Sequence, residues 1–188
     1  RVAASLAGWY RKLHQKGRAY VETRGAGMYD ECELITPDNL AFVREKTGTA
    51  GNTLWDLLLA HFDAFKSAAE KPRRTLTYND FYYTNLIVAR DCSSAFMFDY
   101  HLLGKGYVFG DLFNVTSALG KEAKEAFLAA YGEYDRSEEP VHRAVGPLVA
   151  LISACQRERF PDWGYEELEK LNSGALAEAV KAVLRQLV

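Results

Sequence analysis

Thr77-Tyr78-Asn79-Asp80-Phe81-Tyr82-Tyr83-Thr84-Asn85-Leu86-Ile87-Val88 is the stretch on which the reading of this chain turns. It sets an aspartate, Asp80, five positions before an asparagine, Asn85, and runs directly into a β-rich segment at residues 86–89. Asp91-Cys92-Ser93-Ser94 is turn chemistry, and a second β-rich segment at residues 95–98 follows it, so the two predict a small hairpin. The second strand leads into Phe98-Asp99-Tyr100. Both strand ends open on one edge of such a hairpin, which brings Asp80, Asn85 and Asp99 together. A short extended segment, residues 75–78, leads in from upstream.

Outside this stretch the pattern is helical. Leu6, Trp9, Tyr10 and Leu13 recur at helical spacing within residues 3–15, and Gly17 stands where that helix should stop. A polar, glycine-containing stretch follows over residues 18–35. Thr36-Pro37 reads as an N-cap with proline at the first helical position, opening a helix that ends near Gly48. Asn52 or Thr53 caps a third helix, whose apolar face includes Leu54, Trp55, Leu58, Leu59, Phe62 and Phe65 and which Lys71-Pro72 closes. Beyond the hairpin, helices are predicted over residues 111–119 and 121–131. Another starts from a Ser137 cap with Pro140 in its first turn, and a last one runs over about 173–187, with an aromatic turn at 161–165 between them. The expectation is a mainly α (α+β) single domain over residues 1–188, helices wrapped around a very small sheet.

The 188 residues are 48% hydrophobic, enough for a real core, and carry a net charge of -2. With a pI near 6.1 there is no basic field to draw in nucleic acid. Cys32, Cys92 and Cys155 stand far apart without a Cys-x-x-Cys spacing, which reads as reduced thiols in a cytoplasmic protein. No apolar run approaches the ~20 residues that a membrane helix needs, and no signal peptide is visible. The chain opens at Arg1 directly in a helical pattern, so it is expected to be cut from a longer protein.

Phosphoryl transfer from ATP requires the residue types gathered at the hairpin mouth. One carboxylate takes or orients the proton of the acceptor hydroxyl, while a carboxamide oxygen and a second carboxylate hold the magnesium that bridges the phosphates. Asp and Asn before strands are also ordinary turn formers, so their spacing alone leaves that plainer reading open. A buried apolar hairpin joining the two motifs, with helices on either side, is expected and favours the chemical one.

Residues 76–112 resemble the catalytic core of the aminoglycoside phosphotransferase and choline kinase family, which shares the protein-kinase architecture. The family motif runs roughly His-Gly-Asp-x4-Asn and a hydrophobic run, then Ile-Asp-Trp, then a glycine-containing loop and Asp-Leu. Its counterparts here are Tyr78-Asn79-Asp80 through Asn85-Leu86-Ile87-Val88, then Phe98-Asp99-Tyr100, then Gly104 to Gly110 with Asp111-Leu112. The resemblance implies that Asp80 is the catalytic base and that Asn85 and Asp99 are Mg2+ ligands. It also implies that Asp111 braces the catalytic loop by accepting backbone N–H bonds, a role that stands beside the plain reading of Asp111 as a helix N-cap. The first helix, with Arg11-Lys12-Leu13-His14, resembles the family's first C-lobe helix, which often closes in Leu-His.

Two departures stand out. Tyr78 replaces the family histidine, whose packing and hydrogen bonding of the loop a tyrosine can also supply. No glycine-rich phosphate loop and no strand lysine paired to a helix glutamate precede Tyr78, and Gly25-Ala26-Gly27 is too short to substitute. The resemblance thus implies the helical C-terminal lobe of a kinase-like phosphotransferase without its N-terminal nucleotide-binding lobe, a piece expected to bind ATP poorly alone. The implied activity is ATP- and Mg2+-dependent transfer of a phosphoryl group to a hydroxyl of an aminoglycoside-, choline- or sugar-like small molecule. A catalytically silent binding module is the alternative. A protein kinase proper is disfavoured, since there is no Asp-Phe-Gly or Ala-Pro-Glu and no room for an activation segment between Asp99 and Asp111.

For the acceptor side, Tyr82, Tyr83 and His101 are candidates by proximity, one of the tyrosines being expected to pack inward. Asp162 and Trp163, with the acidic group Asp30, Glu31 and Glu33, are candidates because a cationic acceptor favours acids and aromatic faces. The plainer reading of both groups is a core anchor and a solvated loop. His14 and His61, set among apolar helical residues, read as core or boundary histidines rather than ligands, and His142 carries no motif.

Overall fold

A computed structural model describes residues 1–185, so the expected end of the last helix at Leu187 lies outside the described residues. The order is α1 (Val2–Arg24), a 3-10 turn (Glu31–Leu34), α2 (Pro37–Lys46), α3 (Thr53–Ala60), α4 (Phe62–Glu70), β1 (Thr75–Thr77) and a 3-10 turn (Tyr83–Asn85). There follow β2 (Leu86–Val88), β3 (Ala95–Met97), β4 (Gly104–Gly106), α5 (Val108–Ala118), α6 (Lys121–Tyr131), α7 (Glu138–Cys155), α8 (Asp162–Asn172) and α9 (Ala175–Arg185). The fold is mainly α with a small amount of antiparallel sheet, as expected.

Capping chemistry places several elements where the sequence puts them. Thr36 accepts the Asn39 N–H at 3.1 Å with Pro37 at the first helical position of α2, and Asn52 accepts the Leu54 N–H at 3.0 Å to open α3. The hairpin forms with Leu86 opposite Met97, Ile87 opposite Phe96 and Val88 opposite Ala95. The hairpin is not buried as expected: Ala95 and Met97 point into the core, whereas Ile87, Val88 and Phe96 are exposed.

Other elements depart from expectation for identifiable reasons. α1 does not stop at Gly17 but continues to Arg24, because Gly17 serves a close approach: a Cβ there would lie 2.6 Å from the backbone nitrogen of Leu76. Gly104 lies against the Tyr29 carbonyl and Gly106 against the Thr77 side chain, and together with Lys105 they form β4, which pairs with β1 in the register Thr75 to Gly106. A Gly-Lys-Gly run has no strand pattern to read. The third helix divides at His61, whose φ of -129° leaves the helical range, and His61 is exposed rather than a core or boundary residue. The aromatic turn expected at 161–165 is the start of α8, in which Gly164 makes room for the Phe160 ring.

The chain forms two compact units, Arg1–Asp30 with Arg73–Arg136, and Glu31–Pro72 with the segment from Ser137 onward. In the first, α1 lies along α6, β1 and β3. Its core joins Leu6 and Tyr10 of α1 with Tyr78, Met97, Leu112 and Phe127. Tyr10 meets Trp9, Tyr78 and Phe127 edge to face at 4.9, 6.3 and 6.0 Å. Each such buried ring contributes about 1.5–3 kcal/mol by burial alone. In the second unit α7 packs against α2, α8 and α9; Val145, Leu148, Leu151 and Ile152 of α7 are buried, as are Val43 of α2 and Val180 and Val183 of α9.

Candidate active site

The segment between β1 and β2 is anchored from below by one side chain. Asp111, in the first turn of α5, is buried and uses both carboxylate oxygens: Oδ2 accepts the Tyr78 N–H at 2.8 Å and Oδ1 the Asn79 N–H at 2.9 Å. Oδ2 also accepts from His14 Nε2 at 3.0 Å, and His14 Nδ1 meets the Tyr131 hydroxyl at 2.8 Å. The positive end of the α5 backbone dipole favours a carboxylate at that turn. α5 starts at Val108 behind an extended Tyr107, so Asp111 is not its N-cap. The loop is thereby tied to α1, α5 and α6 at once.

Asn79 adopts a left-handed backbone with φ 65°, a conformation asparagine tolerates better than most residues. Its N–H bond to Asp111 and its Nδ2–H bond to the Leu102 carbonyl at 3.0 Å hold that turn, from which Asp80 projects. Asp80 Oδ2 accepts from Asn85 Nδ2 at 2.9 Å. A carboxylate only accepts, so the Asn85 nitrogen faces Asp80 and its amide oxygen remains the end available to a cation.

Tyr78 links this loop to the far strand. Its buried phenol donates to the Phe98 carbonyl, and the Phe98 N–H donates to the Asn85 carbonyl at 2.9 Å. Burial, reinforced by the Asp80 charge, pushes the Tyr78 hydroxyl up to about 12, so it remains a donor through the neutral range. The peptide ahead of Asp99 is therefore held on both sides. Asp99 itself has φ 62° and an exposed carboxylate whose Oδ1 accepts from His101 Nδ1 at 2.8 Å. That bond holds Asp99 below the usual carboxylate range and raises His101 above the usual imidazole value. His101 Nε2 stands 3.9 Å from Asp80 Oδ2.

Asp80, Asn85, Asp99 and His101 thus converge at the mouth of the hairpin, and Tyr78 and Asp111 lie behind them. Tyr82 and Tyr83 are both exposed; the residue that packs inward is Phe81, against whose ring Tyr83 stands edge-on at 5.6 Å. The Tyr83 hydroxyl donates to the Ala118 carbonyl. Asp162 and Trp163 belong to the second unit, where the Arg157 guanidinium covers Trp163 at 5.6 Å. Asp30 is buried and faces Arg74 at 3.6 Å, whereas Glu31 and Glu33 fall in the 3-10 turn that opens the second unit. His14 and Tyr131 are the members that residue reasoning missed. Leu13-His14, which lies inside α1 and does not close it, was the one available signal, and Tyr131 carried none.

Among the described residues no helix is long and apolar enough to cross a membrane. The architecture is kinase-like: a helical lobe in which a small hairpin carries an Asp–Asn loop at one end. Among solved structures it is similar to a choline/ethanolamine kinase family protein from Mesorhizobium loti, with a TM-score of 0.52 at 14% sequence identity. That likeness covers 97% of this chain but 66% of the other, so the chain spans a little under two thirds of that protein's length. No family model and no curated protein matches the sequence.

Proposed function

We propose that this chain is the helical, acceptor-side lobe of a kinase-like phosphotransferase that moves the γ-phosphoryl group of ATP to a hydroxyl of a small molecule, with Mg2+. The observation that carries the reading is the Asp80–Asn85 bond at 2.9 Å, set at the hairpin mouth that Asp99 also borders. A loop braced by Asp111 and Tyr78 keeps those groups fixed, and phosphoryl transfer depends mostly on such positioning.

The donor set fits magnesium. Among the described residues no three His, Cys, Asp or Glu side chains converge into a closed cage, and magnesium bound with nucleotide does not need one. It takes one or two protein oxygens and fills its other positions with phosphate oxygens and water. Asn85 through its amide oxygen and Asp99 through its carboxylate are the residues that would hold it, and the ion would neutralise charge developing on the phosphates. Asp80 receives the proton of the acceptor hydroxyl as the new O–P bond forms and the bond to the ADP oxygen breaks. The nucleotide-clamping parts are assigned to sequence outside this chain.

The test is an assay of the protein with its flanking sequence included, against a panel of hydroxyl compounds with ATP and Mg2+. Asp80→Ala is expected to lose roughly 10²–10⁴ in kcat while ATP affinity stays within a few-fold, the range for removing a general base. Turnover unchanged by Asp80→Ala overturns the role. A catalytically silent module would give no turnover in either form.

A further inference from the structure

We propose that His101 is a positioning residue for Asp99, locking one carboxylate oxygen through its Nδ1–H so that the other is presented to the cation. The proposal rests on the reading of Asp99 as a magnesium ligand. Asp99 sits in an exposed turn with its side chain 47% accessible, so packing does not select its rotamer. Its Oδ1 instead takes two donors from one residue, the His101 backbone N–H at 3.4 Å and Nδ1 at 2.8 Å. Among the described residues no other side chain bonds to it. The ring this makes, together with the left-handed backbone of Asp99, leaves Oδ2 as the single uncommitted oxygen.

The same imidazole reaches toward the second carboxylate, with Nε2 3.9 Å from Asp80 Oδ2, beyond a hydrogen bond but within an ion pair's range. One side chain thus stands between the proposed metal ligand and the proposed base. Ligand carboxylates elsewhere depend on such partners, whose loss costs about 10- to 100-fold in metal affinity. The opposite arrangement, in which the histidine competes with the cation for Asp99, predicts a change of opposite sign.

Mn2+ titration of this chain, followed by paramagnetic broadening of amide signals around Asn85 and Asp99, reads weak as well as tight binding without any turnover. His101→Ala should bind Mn2+ about tenfold more weakly. His101→Asn, whose amide places a donor near the Nδ1 position, should recover to within about threefold of the parent, because only the bond to Asp99 is restored. Unchanged or tighter binding by His101→Ala, or no recovery in His101→Asn, overturns the proposal while leaving Asp99 as a ligand. Asp99→Ala distinguishes the two claims: broadening that persists in it removes the ligand reading, and this proposal with it. Amide signals of α7 that stay in place report that each variant is folded.

Discussion

Asp111 accepts from Tyr78, Asn79 and His14 on two oxygens while only 1% exposed, so each donor has given up water for this one group. Replacing it by alanine leaves two backbone N–H groups and an imidazole buried without their acceptor. The cost is expected at about 3–5 kcal/mol, the usual penalty for breaking a buried charged network. Asp111→Asn, which keeps one accepting oxygen, should cost roughly half as much. Urea unfolding of both variants checks this, and a loss under about 1 kcal/mol in Asp111→Ala would show that the loop holds itself. At this scale the sequence reveals residues whose spacing carries chemistry. Asp80, Asn85 and Asp99 stand within one hairpin's length of each other, so a local pattern exposes them. His14 meets Tyr131 across 117 positions, and no local pattern reports such a contact. A histidine on an apolar helical face reads the same whether or not it supports a loop.

Gly17 shows how one residue type misleads when its purpose is contact. Glycine after an apolar helical run signals a helix end, because its backbone freedom suits a C-cap. Here the helix continues, and the missing side chain admits the Leu76 backbone against α1. Gly17→Ala should raise helix propensity slightly yet destabilise the protein by about 1–3 kcal/mol, since a Cβ 2.6 Å from a backbone nitrogen must push β1 away. Urea unfolding and exchange of the β1 amides measure it; a neutral or stabilising effect would mean that β1 shifts freely. Caps written in short polar side chains, Thr36 and Asn52, were readable because their mechanism is local. β4 was not, since its glycines are chosen by Thr77 and Tyr29, which lie elsewhere in sequence. The start of α8 was hidden by Pro161-Asp162-Trp163-Gly164, a run that resembles a turn until Phe160 is seen to occupy the space at Gly164.

Each of the two compact units is assembled from separated stretches of chain. The second takes α2, α3 and α4 from before β1 and α7, α8 and α9 from after α6. α2 meets α7, and α3 and α4 meet α9, so Val43, Leu58 and Phe65 depend for cover on helices from the other end of the chain. A chain ending at Arg136 should therefore leave residues 37–70 without lasting structure. Hydrogen exchange is the measurement: these amides should exchange at near-random-coil rates in the truncation and be protected in the 188-residue chain. Protection that survives truncation would mean that α2 to α4 fold by themselves. The sequence shows that these helices are amphipathic but not which distant helices cover them, because periodicity marks a face and not its partner.

The same interleaving sets a timetable during synthesis. α4 is complete at Glu70, but α7 begins only at Glu138, and at about 5–20 residues per second the ribosome needs several seconds to cover that interval. The residues of the first unit can close once Arg136 has left the exit tunnel, while the greasy faces of α2, α3 and α4 are still waiting for helices not yet translated. The nascent chain thus carries an apolar surface that the residues from Glu138 onward are needed to cover, and stalling or termination before they emerge strands it in that condition.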